Sequence, residues 1–301
     1  MTGSWRDLRA DAVARLTVAG VGTAAVEARY LVEAASGSGP EEWSEIARSE
    51  PSARVAARFE AMLDRRTAGE PLQYVIGAWG FRALDLMVDS RVLIPRPETE
   101  VVVEVALGEA ERLGLRRATR SSAVPDGPPR AVLADLGTGS GAIAISLATE
   151  LTAVEVWAVD ASSDALAVAA ANVAGCAATR VRLAPPGSWF AALPAELAGT
   201  LAVVVANPPY IAESEVPELP PEVVGYEPRG ALVAGPRGTE ALEVLLAEGR
   251  TWVATPGALV LELAPHQAEA MADRARSLGW VEVAVHPDLT GRPRVLVARS
   301  G

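Results

Sequence analysis

Three short segments combine residue types at spacings suited to chemistry. The first, Asn207-Pro208-Pro209-Tyr210, follows the apolar run Leu201-Ala-Val-Val-Val-Ala206. Proline fixes φ and carries no N–H, so this loop is stiff and its carbonyls are free to accept. The Asn207 side chain and the Pro208 carbonyl can both accept hydrogen bonds from one planar NH₂ group, while Tyr210 stacks on the flat group and Pro209 lies alongside. Such a grip raises electron density on the nitrogen and aims it for in-line transfer. Asn207, Pro208 and Tyr210 are therefore the candidate catalytic residues.

The second segment is Asp135-Leu-Gly-Thr-Gly-Ser-Gly141. Gly137, Gly139 and Gly141 let the chain turn tightly around Thr138 and Ser140, and a following helix offers free N–H groups to a ligand. The spacing departs from Gly-x-Gly-x-x-Gly, although Ala142 could stand in for the last glycine, so the loop alone admits a nicotinamide dinucleotide. The third is Asp160, 23 positions after Gly137, at the end of Val154-Glu-Val-Trp-Ala-Val. An acid there can accept from both ribose hydroxyls, which marks an adenosine-containing cofactor, or it can cap the next helix, a task open to Ser162 or Ser163 as well. The Asn-Pro-Pro-Tyr loop decides for S-adenosylmethionine.

These segments need a frame that brings strand ends together. Strands are expected at Ala131–Leu136, Glu155–Asp160, Arg180–Ala184, Leu201–Ala206, Ala258–Leu263, Val281–His286 and Arg294–Arg299, with helices at Ile143–Glu150, Asp164–Val173, Thr239–Val253 and Gln267–Leu278. That alternation predicts an α/β fold with a mostly parallel sheet. Only Pro287-Asp-Leu-Thr-Gly-Arg-Pro293 joins the last two strands, too short for a crossover, so the final strand should run antiparallel. Upstream, residues 1–70 predict helices around Leu8–Leu16, Val26–Ala35 and Ser52–Arg66, a small helical domain. Residues 71–92 predict a β-hairpin linker built from Gln73–Ile76 and Leu84–Val88, and 93–301 the catalytic domain. Residues 116–130 predict an exposed loop, and Glu213, Glu215, Glu218 and Glu222, interleaved with prolines, a solvated mobile loop of the kind that serves as a lid.

Composition excludes several classes of function. Half of the 301 residues are apolar and 22% are charged, as in a folded protein. Every one of the 27 basic residues is arginine, so neither a Walker phosphate loop nor Schiff-base chemistry has its lysine. The net charge of −11 argues against a stable nucleic-acid partner. Cys176 and two histidines cannot form a Cys/His zinc site, so no metal is expected. His266 and His286 have no evident partner and read as structural. No apolar run approaches the roughly 20 residues of a membrane span, and Met1–Asp7 lacks the basic head of a secretion signal, so a cytoplasmic protein without membrane contact is expected.

Taken together, the glycine loop, Asn207–Tyr210, the run Leu93-Ile-Pro-Arg-Pro-Glu-Thr-Glu100, Pro71-Leu-Gln-Tyr-Val-Ile-Gly77 with Phe81 and Leu84, and Asp288-Leu-Thr-Gly-Arg-Pro-Arg294 resemble the HemK/PrmC family of peptide chain release factor glutamine N5-methyltransferases. The resemblance runs through nearly the whole chain. It implies a Rossmann-like seven-stranded S-adenosylmethionine-dependent methyltransferase domain and methylation of the glutamine in the Gly-Gly-Gln tripeptide of release factors. By that resemblance Gly137, Thr138, Gly139, Ser140 and Gly141 hold the methionine part of S-adenosylmethionine, Asp160 the ribose, and Trp189 the adenine. Asn207, Pro208, Pro209 and Tyr210 grip the glutamine, and Pro95, Arg96, Pro97 and Glu98 line the substrate entrance. The helical domain contacts the release factor. Ser188 stands where the family usually has an acid, which implies a weaker hold on the adenine, and Pro185-Pro186-Gly187 in the same loop also departs from the family. Glu98 is a candidate general base, unless the amide sheds its proton after methylation. Neighbouring readings are glutamine methylation of a ribosomal protein, adenine N6-methylation, a non-catalytic S-adenosylmethionine-binding scaffold, and an NAD-dependent oxidoreductase.

Overall fold

The computed structural model describes residues 3–118 and 129–301. The loop expected over 116–130 therefore falls largely on 119–128, outside the described residues. The chain begins with helices α1 (Trp5–Val18), α2 (Ala24–Ser36), α3 (Trp43–Ile46), α4 (Ala53–Thr67) and α5 (Leu72–Ile76). Strands β1 (Ala78–Phe81) and β2 (Leu84–Met87) follow, then α6 (Pro97–Arg112). The alternating region comprises β3 (Ala131–Leu136), α7 (Ala142–Glu150), β4 (Val154–Val159), α8 (Ser163–Gly175), β5 (Val181–Leu183) and β6 (Leu201–Ala206). After it come β7 (Ile211–Ala212), α9 (Pro221–Tyr226), α10 (Arg229–Leu232), β8 (Val233–Gly235), α11 (Glu240–Trp252), β9 (Val253–Glu262), α12 (Ala268–Ser277), β10 (Glu282–Pro287) and β11 (Pro293–Arg299).

Two compact units emerge, Met1–Ala78 with Pro220–Tyr226, and Trp79–Leu219 with Glu227–Gly301. In the helical unit, Ser4 and Asp7 form a reciprocal cap on α1, which satisfies N–H groups that a helix start leaves open. Its core gathers Trp5, Leu16, Leu31, Phe59 and Leu63, with the Trp5 and Phe59 rings edge to face at 5.9 Å. Arg66, 8% exposed, pairs with Glu27 at 2.5 Å and with Glu222 at 3.3 Å. Glu222 lies on α9, and Glu213–Glu218 forms a 3₁₀ helix, so the acidic stretch expected as a mobile loop is helical. The repeated prolines start and shape these turns rather than leaving the chain free.

The second unit contains the expected sheet. Its order is β10-β11-β9-β6-β3-β4-β5, parallel except that β11 runs antiparallel to both β10 and β9. Alternate residues of each strand bury opposite faces: Leu133, Val203, Val205 and Val260 pack under α6 and α7, while Ala134, Val204, Leu259 and Leu261 pack under α11 and α12. Each such fully buried Val or Leu contributes roughly 1.5–3 kcal/mol, which is why these runs are almost uninterrupted in apolar character. The chain goes outward from β3 through β4 to β5, then crosses back to β6 on the other side of β3. A crevice opens where strand order reverses in this way.

One expected strand is a helix. Gln73–Ile76 belongs to α5, which Pro71 opens and Gly77, at φ +83°, closes. Leu72, Tyr74 and Val75 are all buried in the helical unit, and that burial outweighs their strand-like composition. The two-stranded sheet is β1 with β2, turning at Arg82 and Ala83.

Candidate active site

The glycine loop leaves β3 and turns into α7. Gly137, Gly139 and Gly141 all adopt positive φ, at +79°, +54° and +85°. At Gly141 a Cβ would lie 3.2 Å from Ile145 Cδ1 and 3.5 Å from Ala169 Cβ, so neither conformation nor space admits a larger residue. The N–H groups of Gly137 and Thr138 both donate to the Val159 carbonyl at 2.8 Å, folding the loop against the end of β4.

Two acids fasten this turn. Asp135, fully buried, accepts from the Thr138 hydroxyl at 2.6 Å and from the Ala144 N–H at 3.0 Å, both on the same oxygen. Burial pushes its carboxyl up to about 7; those two bonds oppose the shift, and the charge on Asp160 adds to it. Asp160 accepts from the Gly139 N–H and the Ser162 N–H, both at 2.9 Å. Ser162 caps α8 through its own side chain, so Asp160 ties the two loops together rather than serving as the cap. Asn172, 4% exposed on α8, donates to the carbonyls of Ser140 (2.8 Å) and Met87 (3.0 Å) and accepts from the Met87 N–H (2.7 Å). Helix α8 thus also pins the glycine loop.

A cavity of about 300 Å³ opens beside this loop. Of the residues expected at the site, Pro95, Gly137, Thr138, Gly139, Ser140, Asp160, Trp189, Asn207 and Pro209 line it, as does Ser188. Trp189 takes a left-handed φ of +47°, costly for a bulky residue, and its ring edge packs over Gly137. Gly141, Arg96, Pro97, Glu98, Pro208 and Tyr210, also expected at the site, are not part of the lining. Gly141 caps α7, Pro97 begins α6, and Arg96 is ion-paired with the buried Glu227. Glu98 lies 3.8 Å from Arg292, on the loop between β10 and β11.

Asn207 follows β6 directly, at the carboxyl edge of the sheet. Its Nδ2 donates to the Thr99 hydroxyl at 3.1 Å, and that hydroxyl donates to Glu262 Oε2 at 2.7 Å. The Tyr210 hydroxyl donates to the other Glu262 oxygen at 3.3 Å. Burial raises the Tyr210 phenol, with the Glu262 charge beside it, so Tyr210 stays protonated and donating. The Tyr210 carbonyl accepts from Gln267 Nε2 at 2.8 Å, which also reaches the Gly238 carbonyl at 3.0 Å.

Thr99, Glu262, Asn172 and Gln267 were not among the residues expected from the sequence. Glu262 carried a signal: one acid interrupts the otherwise apolar run Ala258–Leu263, at the sheet edge where ligands bind. Among the described residues, no group of three or more His, Cys, Asp or Glu side chains could hold a metal ion, and no helix is long and apolar enough to cross a membrane.

A seven-stranded sheet with an antiparallel terminal hairpin, a glycine loop after its first strand and Asn-Pro-Pro-Tyr after its fourth defines a methyltransferase. The PrmC N-terminal domain family matches residues 7–77, and the methyltransferase small domain family matches residues 123–219. The release factor glutamine methyltransferase of Deinococcus radiodurans is 37% identical over 98% of each chain, and that of Moorella thermoacetica 40% identical over 97% of each. The N-terminal domain of human METTL16, solved in complex with SAH, superposes with a TM-score of 0.51 over 90% of this chain and 94% of that one; at 14% identity the likeness is one of fold. The chain belongs to the release factor glutamine methyltransferase family.

Proposed function

We propose that this chain transfers a methyl group from S-adenosylmethionine to the side-chain amide nitrogen, N5, of the glutamine in the Gly-Gly-Gln motif of peptide chain release factors. The observation that carries the reading is that Asn207 and Pro209 of the Asn-Pro-Pro-Tyr loop line the same cavity as Gly137–Ser140 of the glycine loop. The donor set suits S-adenosylmethionine: backbone turns at Gly137–Gly141 for the methionine part, the Asp160 carboxylate for the ribose hydroxyls, and Trp189 for the flat adenine. When bound, S-adenosylmethionine supplies an electrophilic methyl on a sulfonium.

The chain's own residues prepare the acceptor. With Asn207 Nδ2 committed to Thr99, its Oδ1 is left to accept a hydrogen bond from one N–H of the glutamine amide, and the Pro208 carbonyl accepts from the other. Two acceptors on one amide group hold it in plane and strengthen its lone pair toward the incoming carbon. The mostly apolar walls of the cavity lower the local dielectric around that contact and strengthen it. Pro95 to Glu98 form the entrance to the glutamine site, and the helical unit recognises the body of the release factor. Release factors act at the ribosome, which puts the enzyme in the cytoplasm.

The test is methyl transfer from labelled S-adenosylmethionine to a purified release factor, beside a variant with asparagine in place of the Gly-Gly-Gln glutamine. Label on the first alone is expected. Binding of S-adenosylmethionine with label on neither would overturn the choice of acceptor.

A further inference from the structure

The hydrogen bonds behind the Asn-Pro-Pro-Tyr loop have a single direction. Asn207 Nδ2 donates to Thr99, Thr99 donates to Glu262, and Tyr210 donates to Glu262, so every proton in the chain points toward one carboxylate. Glu262 is 1% exposed and Thr99, at the cavity wall, 4%. A hydroxyl has one proton. While Thr99 gives it to Glu262, it can only accept from Asn207, and the amide must turn its NH₂ inward. The alternative amide orientation would set Asn207 Oδ1 against an oxygen that has no proton left to offer.

We propose that Thr99 and Glu262 are positioning residues that fix the Asn207 side-chain amide with its oxygen toward the acceptor nitrogen. This rests on the function given above, since only an NH₂-bearing acceptor needs that oxygen. Thr99 comes from the first turn of α6, Glu262 from the carboxyl end of β9 and Asn207 from the end of β6. The segment Pro95–Glu98 is thus joined to the methyl-transfer loop by its next residue.

The direction of the chain depends on Glu262 being ionised. The groups facing it are the hydroxyls of Thr99 and Tyr210, the Arg294 guanidinium from β11, and the Glu98 carboxylate from the start of α6. Burial raises Glu262 to about 7, with Glu98 adding to the rise, while Thr99, Arg294 and Tyr210 pull it back down. Once protonated, Glu262 can donate to Thr99, which releases the Thr99 proton toward Asn207 Oδ1 and permits the amide to turn over.

The experiment compares wild type, Thr99→Val, Thr99→Ser and Glu262→Gln for kcat, KM for the release factor and S-adenosylmethionine affinity. In Thr99→Val, kcat should fall roughly 10- to 100-fold while KM and cofactor affinity stay within about threefold, because the lost orientation matters mainly in the transition state. Thr99→Ser should regain most of that kcat. In wild type kcat should fall as pH drops through about 7, and in Glu262→Gln that acid limb should be absent. Wild-type kcat in Thr99→Val, equal loss in Thr99→Ser and Thr99→Val, or an acid limb that survives in Glu262→Gln would each overturn the proposal. Should Thr99→Val fail to fold, the pH profile of Glu262→Gln decides. A wild type that transfers no methyl to the release factor would overturn the underlying function and this proposal with it; a wild type that transfers while the variants match it overturns this proposal alone.

Discussion

The glycine loop and the Asn-Pro-Pro-Tyr loop follow two neighbouring strands, β3 and β6, yet they are held in different ways. The glycine loop is fastened from nearby in the chain: Thr138 to Asp135 three residues away, Ala144 to Asp135 nine away, Gly139 to Asp160 at 21 and Ser140 to Asn172 at 32. The Asn207 loop is fastened from far off, with Thr99 at 108 residues, Glu262 at 52 from Tyr210 and Gln267 at 57. The first is shaped by backbone conformations that only glycine takes easily, the second by side chains that meet only when the sheet is complete. A cofactor common to many reactions can be held by a self-contained turn. The Asn207 loop, proposed to grip the acceptor, is held from three separate elements.

If that division holds, substitutions should separate the two functions. Asn207→Ala should lower kcat by roughly 10²–10³-fold while S-adenosylmethionine still raises the melting temperature, read by steady-state kinetics and thermal shift on the same protein. Loss of the thermal shift along with the activity would show that the two loops act as one site. Gly141→Val should act on the other side of the divide. A β-branched residue at φ +85°, pressed against Ile145 and Ala169, should cost roughly 3 kcal/mol of stability and weaken cofactor binding, measured by denaturant unfolding and equilibrium titration.

A smaller effect tests the glycine loop's buried acid. Asp135 rises from an ordinary 3.8 to about 7 on folding, so between those values the folded state binds more protons than the unfolded one. Stability contributed by this group is then highest at low pH and falls as pH rises through that window. The melting temperature of wild type relative to Asp135→Asn should accordingly decline from pH 5 to pH 8. A difference that does not change with pH would mean that Asp135 keeps its ordinary affinity for protons in the fold.

The same contrast explains what the sequence made legible. Asp135–Gly141 and Asp160 could be read because their partners lie within the same strand-turn-helix unit and their residue types announce the turn. The central strands β3, β6, β9 and β11 could be read because burial on both faces forces near-continuous apolar runs, whereas the edge strands β5 and β10 are largely unburied. Asn207–Tyr210 could be recognised, but not what holds it. Thr99 lies inside Leu93–Glu100 and passes for an ordinary helix-start residue until Asn207 and Glu262 arrive beside it. Asn172 was likewise hidden among the small apolar residues of α8. Gln73–Ile76 was misread as a strand because short apolar runs carry no period of their own, and Pro71 and Gly77 bound a turn of helix equally well.

The central claim is that the loop at Asn207 directs a methyl group to a glutamine side-chain nitrogen. Fragment-ion mass spectrometry of a release factor treated with S-adenosylmethionine and either wild type or Asn207→Ala tests it most directly. The account predicts a single added methyl on the Gly-Gly-Gln glutamine side chain with wild type and none with Asn207→Ala. A methyl on any other residue, or an unchanged yield from Asn207→Ala, would contradict it.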